Sequence, residues 1–169
     1  TMYLFSLRIF SVQQDNEEKI VVNKSIFIAI IRKVENREEV TQFKKEIMEK
    51  YTNATHYVLA YKIGEEEFCD DDGEPSRTSG FPILKCILGS ELNNTCIIVV
   101  RYFGGILLGT GGLVKAYTES AKEVISTAKI VKCIRVRKEK IIIPYDRISK
   151  VRRIIEEVSR TKVEEEPYL

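Results

Sequence analysis

One stretch, Arg101-Tyr-Phe-Gly-Gly-Ile-Leu-Leu-Gly-Thr-Gly-Gly-Leu-Val-Lys-Ala-Tyr117, limits what this chain can fold into more than any other. An apolar, β-branched run, Cys96 to Val100, leads into it without polar alternation, which is the pattern of a strand buried on both faces. Five of the nine glycines follow: Gly104, Gly105, Gly109, Gly111 and Gly112. Then an apolar stripe at helical spacing begins, through Leu113, Val114, Tyr117, Ala121, Val124, Ile125 and Ala128. The stretch predicts strand, glycine loop and helix. Thr110 is the expected N-cap, its hydroxyl accepting from amides of the first turn.

Such a junction has a definite chemical capacity. Glycines allow positive φ and close backbone approach. Free amides at a helix start, with the positive end of the macrodipole, attract phosphate and other anions. The plainer reading is that the glycines only shape a tight connection and let the helix pack on the sheet. The loop is neither Gly-x-Gly-x-x-Gly nor a Walker loop, and Lys115 does not complete Gly-Lys-Ser/Thr.

The charge balance limits the partners. There are 27 basic and 25 acidic residues, a net of +2. That lacks the basic excess of a dedicated nucleic-acid binder, so RNA would be met by a local patch and no DNA binding is expected. The length allows one or two domains with a sizeable core. Cys69, Cys86, Cys96 and Cys133 form no Cys-x-x-Cys pair, and reduced thiols in a cytoplasmic protein are expected. His56 is the single histidine, which excludes a His-rich metal site. The apolar start, Thr1 to Phe10, is too short to span a membrane and lacks the features of a signal peptide. A Thr ahead of Met2 points to a start that is not the native one.

In chain order, Tyr3 to Ser11 predicts an edge strand. Ile20–Asn23 and Ile26–Lys33 predict strands around a turn at Lys24-Ser25. Asn36 with Glu39 predicts a capped helix. Its buried stripe is Val40, Phe43, Ile47 and Tyr51, and its wet face carries Lys44, Lys45, Glu46, Glu49 and Lys50. Thr55–Ile63 predicts a strand, Gly64–Glu67 a turn or exposed hairpin tip, and Phe81–Gly89 a short helix with Pro82 in its first turn. After the long helix, Ile130–Arg137 predicts a strand and Lys138-Glu139 a boundary. Ile141–Ile143 then predicts a strand, Asp146 caps a helix with stripe Ile148, Val151, Ile154, Ile155 and Val158, and Thr161 begins the approach to another strand. A strand and one helix cannot bury a core. This segment therefore either docks on the first domain or is the beginning of a second one.

The second polar concentration is Cys69-Asp70-Asp71-Asp72-Gly73-Glu74-Pro75-Ser76-Arg77-Thr78-Ser79-Gly80, expected to be a loop. Its crowded carboxylates need cations, amide donors or water to stay ionised together. Three readings stand: a hard-cation site, with magnesium on Asp71, Asp72 and Glu74; a scaffold in which the acids accept backbone amides; or a solvated surface loop. His56 is either a hydrogen-bonded structural residue or an acid–base group. No Gly-x-Ser-x-Gly elbow is present.

Together these residues resemble a known family. Asp71-Asp72-Gly73-Glu74-Pro75 with Thr78-x-Gly80-x-Pro82, then Val99-Val100-Arg101-Tyr102-Phe103-Gly104-Gly105-x-x-x-Gly109-Thr110-Gly111-Gly112-Leu113-Val114-x-Ala116-Tyr117, resemble the YigZ/IMPACT family. Lys24-Ser25-x-Phe27 and Ala54-x-His56 also look like its pattern. Ile26, Arg77 and Ser79 depart from it, standing where the family has a basic residue, Gly and Ala; Arg77 adds a charge that is expected to pair with the acidic loop.

The resemblance implies an α+β fold: a two-layer domain like those of a ribosomal protein and RNase PH, with a mixed sheet packed by helices, over 1–138. It further implies the incomplete start of a ferredoxin-like domain over 139–169. It also implies a role in translational control, since eukaryotic relatives bind a ribosome-associated activator of a stress kinase. The preferred expectation is a non-enzymatic regulator that binds RNA or a ribosome-linked partner. Its phosphate contacts would come from Arg101, Tyr102, Gly104, Gly105, Gly109, Thr110, Gly111, Gly112 and Lys115. The alternatives are a hydrolase or phosphoryl-handling enzyme using His56, Asp71, Asp72 and Glu74, with magnesium, and a purely protein-binding module.

Overall fold

The computed structural model describes residues 2–3, 7–135, 138–139 and 142–159. The first half of the chain forms β1 (Met2–Tyr3), β2 (Leu7–Val12), β3 (Asn16–Val22), β4 (Ser25–Lys33), α1 (Arg37–Lys50), β5 (His56–Ile63) and β6 (Glu66–Asp70). The second half forms α2 (Gly80–Gly89), β7 (Thr95–Tyr102), α3 (Gly109–Thr127), β8 (Ile130–Arg135), β9 (Lys138–Glu139) and α4 (Ile148–Ser159). Two units result, Phe10–Lys132 and Thr1–Ile9 with Cys133–Leu169.

In the larger unit the run before the glycine loop becomes the middle strand of a five-stranded sheet, in the order β3-β4-β7-β5-β6. Every residue of β7 but Tyr102 is buried, as its unbroken apolar pattern requires. All four ladders are antiparallel, where a mixed sheet was expected. Helices cover both faces, so the unit has three layers and not two. Ile28, Ile30, Leu59, Ile98 and Val100 pack on Val40, Phe43 and Ile47 of α1. Ala29, Ile31, Val58, Ile97 and Val99 point the other way, onto Ile83 and Ile87 of α2 and Tyr117 and Val124 of α3. The period-2 alternation of the strands thus supplies two cores from one sheet.

Local chemistry explains most boundaries. The Asn36 side chain accepts from the Glu39 amide at 2.9 Å, and the Glu39 carboxylate accepts from the Glu35 amide at 2.7 Å, closing the predicted cap. The β3–β4 turn sits at Asn23-Lys24, one residue before the predicted position. Both residues take positive φ, as a two-residue hairpin of the favoured twist demands. β3 begins at Asn16, ahead of the expected Ile20.

Gly64–Glu67 was expected as a turn or exposed hairpin tip and the stretch from Cys69 as a loop; Gly64 and Glu65 form the tip, and β6 is the second arm of that hairpin. Its sequence, Glu-Glu-Phe-Cys-Asp, has little strand signal, and cross-strand pairing with β5 decides its state. The expected edge strand at Tyr3–Ser11 is split between β1 and β2, with residues 4–6 outside the described set.

In the smaller unit Met2 and Tyr3 of β1 pair antiparallel with Glu139 and Lys138 of β9. Asp146, the expected cap, lies inside a 3-10 turn at Tyr145–Arg147 that precedes α4. Ile154 of the expected stripe is half exposed. Ile142 and Ile143 form no strand. Val136, Arg137, Ile141 and the segment from Thr161 lie outside the described residues.

Candidate functional site

The two polar motifs of the sequence meet at one end of the sheet. In the registers of β4, β5 and β7, Phe27 and His56 both stand opposite Arg101. All three side chains therefore leave the sheet on the α3 side. Glu74, from the loop after β6, enters this space and is buried. Arg101 Nη1 donates to Glu74 Oε1 at 2.6 Å, and Tyr117 Oη, from α3, donates to the same oxygen at 2.7 Å. His56 Nε2 lies 3.6 Å from the other oxygen, Oε2. The Arg101 and Glu74 side chains are 6% and 3% exposed, so their charges survive burial only through each other and these hydrogen bonds. Burial, and Glu74 beside it, push the Tyr117 hydroxyl well above the ordinary tyrosine range, so it remains a proton donor. Among the described residues Arg101 Nε has no hydrogen-bond partner.

The acidic residues have separate tasks. Asp71 accepts from the amides of Arg77 at 2.8 Å, Gly80 at 2.9 Å and Ser79 at 3.3 Å, and from Ser79 Oγ at 3.2 Å. Burial alone would raise its pKa, but these donors outweigh burial and hold it below the ordinary value. Asp72 accepts from the Tyr57 amide at 2.7 Å through its side chain, and its carbonyl meets His56 Nδ1 at 2.7 Å. The loop is therefore ordered by carboxylate-to-amide bonds, the scaffold reading of the sequence. Among the described residues no group of three His, Cys, Asp or Glu side chains is placed to hold a metal ion. Arg77, expected to pair with the acids, lays its guanidinium over the Phe81 ring at 4.1 Å.

The glycine loop divides into a packed half and an open half. A Cβ on Gly104 would fall 2.1 Å from the Lys24 carbonyl carbon, so only glycine fits against the β3–β4 turn. The Gly104 amide donates to Ser25 Oγ at 3.2 Å, and Arg101 Nη2 donates to the same hydroxyl at 3.4 Å. Just before this anchor Phe103 is 45% exposed, its ring 5.7 Å from the Arg101 guanidinium, and beyond it Ile106 and Leu107 are 43% and 86% exposed. α3 then starts at Gly109, with Leu108 as N-cap and no side-chain capping bond. Thr110 is an exposed residue of the first turn and not the cap.

Of the predicted contacts, Gly105, Gly109, Thr110, Gly111 and Lys115 face solvent, and Gly112 is partly covered. Tyr102 is half-buried, its hydroxyl donating to the Thr52 carbonyl at 3.0 Å. Arg101 is turned inward. The structure thus brings together His56, Glu74 and Arg101, leaves Asp71 and Asp72 on their own loop, and separates the Arg101 cluster from the open glycines. Ser25 and Tyr117 complete the cluster, though neither was singled out as a site residue. Ser25 lay in a motif whose partner was invisible, and Tyr117 was absorbed by the apolar stripe that it also serves.

A sequence model of the Impact N-terminal domain matches residues 23–125. The chain belongs to that family. It is 42% identical over 125 residues to the IMPACT family member YvyE of Bacillus subtilis (strain 168), a match covering 72% of this chain and 58% of that one. It is 39% identical over 101 residues to YigZ of Escherichia coli (strain K12), covering 57% of this chain and 50% of that one. The chain thus spans little more than half the length of these curated relatives. Among solved structures, one described as the crystal structure of an hypothetical protein superposes with a TM-score of 0.75 at 22% identity, covering 96% of this chain and all of that one. That likeness shows the α+β fold. The Impact match contains both polar motifs, so the Arg101–Glu74 brace lies within the family's domain.

Proposed function

We propose that this chain is a translation-associated regulatory module that binds RNA through the open half of the glycine loop and the start of α3. The observation that carries the reading is the uncapped N-terminus of a long helix, flanked by the exposed Phe103 ring and by exposed Lys115. Helix amides favour phosphate, an exposed aromatic ring stacks on a base, and a lysine adds a point charge. The family supports the translational setting. In this reading Arg101 does not touch phosphate; it fixes the base of the loop through Ser25 and Glu74.

A ribosome-linked protein is the second reading, favoured by the exposed Ile106 and Leu107 beside the same helix start. The enzyme reading has less support, because Glu74 already accepts from Arg101 and Tyr117 and faces His56 from a buried position. The likeness to the ribosomal-protein and RNase PH domains belongs to this proposal, as does a ferredoxin-like domain beginning near 139.

Titration of a fluorescently labelled single-stranded RNA tests the reading. Binding should weaken with salt, and Lys115→Glu and Phe103→Ala should each weaken it, Lys115→Glu while leaving thermal unfolding unchanged. Absence of binding at low salt overturns the RNA reading. Binding that Leu107→Asp abolishes on a ribosome-linked protein, with RNA inert, supports the second.

A further inference from the structure

The cations on the α1 face are largely neutralised within the chain: Arg32, Arg37, Lys44 and Lys50 each lie against a carboxylate. The face formed by α2 and α3 is different. There Arg77, Lys85, Lys115 and Lys122 are exposed, and none of them forms an ion pair among the described residues. α2 contains no acidic residue at all. Asp71, the acid that meets Arg77, accepts its backbone amide and not its guanidinium. On α3, Lys115, Thr118 and Lys122 recur along one stripe, while Glu119 and Glu123 fall on the next stripe round the helix.

The lysines of the two helices converge. Cys86 Sγ of α2 donates to the Thr118 carbonyl of α3 at 3.7 Å, which sets the middle of one helix beside the other. Burial pushes the Cys86 thiol up, and Lys122 and Lys85 act against that shift. Both ammonium groups therefore act on one sulfur, one from each helix. Lys115 stands about 10 Å from Lys122 along α3, next to the open glycines. One turn before Lys85, the Phe81 ring carries the Arg77 guanidinium at 4.1 Å, and Lys85 Nζ lies 5.9 Å from the same ring. A guanidinium plane held in this way is a stacking partner for an unpaired base.

We propose that the α2–α3 face extends the RNA site: phosphates of a single strand run from the open glycine loop over Lys115, Lys122 and Lys85, and an unpaired base stacks on the Arg77–Phe81 pair. This rests on the RNA reading above and adds to it the strandedness of the ligand and a second base position, the first being Phe103. Charge selects a polyanion, because no carboxylate among the described residues pairs with these four side chains, and a nucleic acid that does so releases its condensed counterions. The guanidinium–ring pair selects a single strand, because the base faces of a duplex are already stacked on one another.

The test is the salt dependence of binding of a labelled RNA single strand of about 12 nucleotides to the full chain. Contacts from all four cations give log K against log salt a slope of about −3. Lys85→Ala and Lys122→Ala should each flatten the slope by about 0.7, while Lys45→Ala, which removes an exposed lysine from α1, should leave it unchanged. Arg77→Lys keeps the charge and loses the plane, so it should preserve the slope and weaken binding about fivefold or more. A duplex of the same sequence should bind at least about tenfold more weakly. If the strand binds and Lys115→Glu weakens it, but Lys85→Ala and Lys122→Ala behave like Lys45→Ala, the α2–α3 site is overturned and the loop reading stands. Equal affinity for the duplex also overturns the proposal, and absence of binding at low salt overturns it together with the loop reading.

Discussion

Arg101 and Glu74, far apart in sequence, meet at 2.6 Å in a space almost closed to solvent. Arg101 comes from the strand that enters the glycine loop, and Glu74 from the acidic loop. Tyr117 adds α3 to the same carboxylate, and Ser25 ties the guanidinium to the β3–β4 turn. One ion pair therefore joins the family's separate motifs. Breaking it from one side should strand a buried charge. Arg101→Met is expected to destabilise the chain by about 3–5 kcal/mol in urea unfolding, and the double variant with Glu74→Gln by less than the sum of the singles.

The packed half of the glycine loop should be far less tolerant than the open half. Gly104→Ala places a methyl group inside the Lys24 backbone and should cost about 1–3 kcal/mol. Gly111 meets nothing within 4 Å and sits in a helical turn, so Gly111→Ala should stabilise by about 0.5–1 kcal/mol. Denaturant midpoints of the two variants check this.

Arg77 occupies the left-handed region with a φ of 62°. Glycine adopts that conformation without the Cβ penalty. Arg77→Ala and Arg77→Gly both remove the contact with Phe81, so their difference isolates the backbone. The Gly variant should be the more stable by about 1 kcal/mol in thermal or urea unfolding.

Asp71 ties its contribution to pH. Its pKa in the folded chain lies below the ordinary 3.8, despite burial, because amides of Arg77, Gly80 and Ser79 donate to it. The unfolded chain then takes up its proton first as pH falls. The stabilisation is complete well above pH 3.8 and is lost as pH drops through the folded value. Asp71→Asn should therefore melt below the wild type at neutral pH, and the gap should close below pH 3.8. A gap that stays constant with pH would assign the loss to shape and not to charge.

The two helix starts should respond differently. Asn36→Ala removes a capping bond and should cost about 1 kcal/mol. Thr110 caps nothing, so Thr110→Ala should stay within about 0.5 kcal/mol of wild type in the same unfolding assay.

The chain by itself determined whatever depends on neighbours along it. The unbroken Cys96–Val100 run required a strand covered on both sides, and the Val40, Phe43, Ile47 stripe required a helix with one dry face. Asn36 and Glu39 closed their cap within four residues, and the two polar motifs were enough to point to the family. Tertiary structure decided whatever depends on partners distant in sequence. β6 is a strand because β5 supplies its hydrogen bonds, against weak local preference. Arg101 looked like a free cation beside a glycine loop, yet it is neutralised inside the protein by a carboxylate that only the folded loop delivers. A charge's sign is written in the sequence, but its exposure is set by what the fold packs around it.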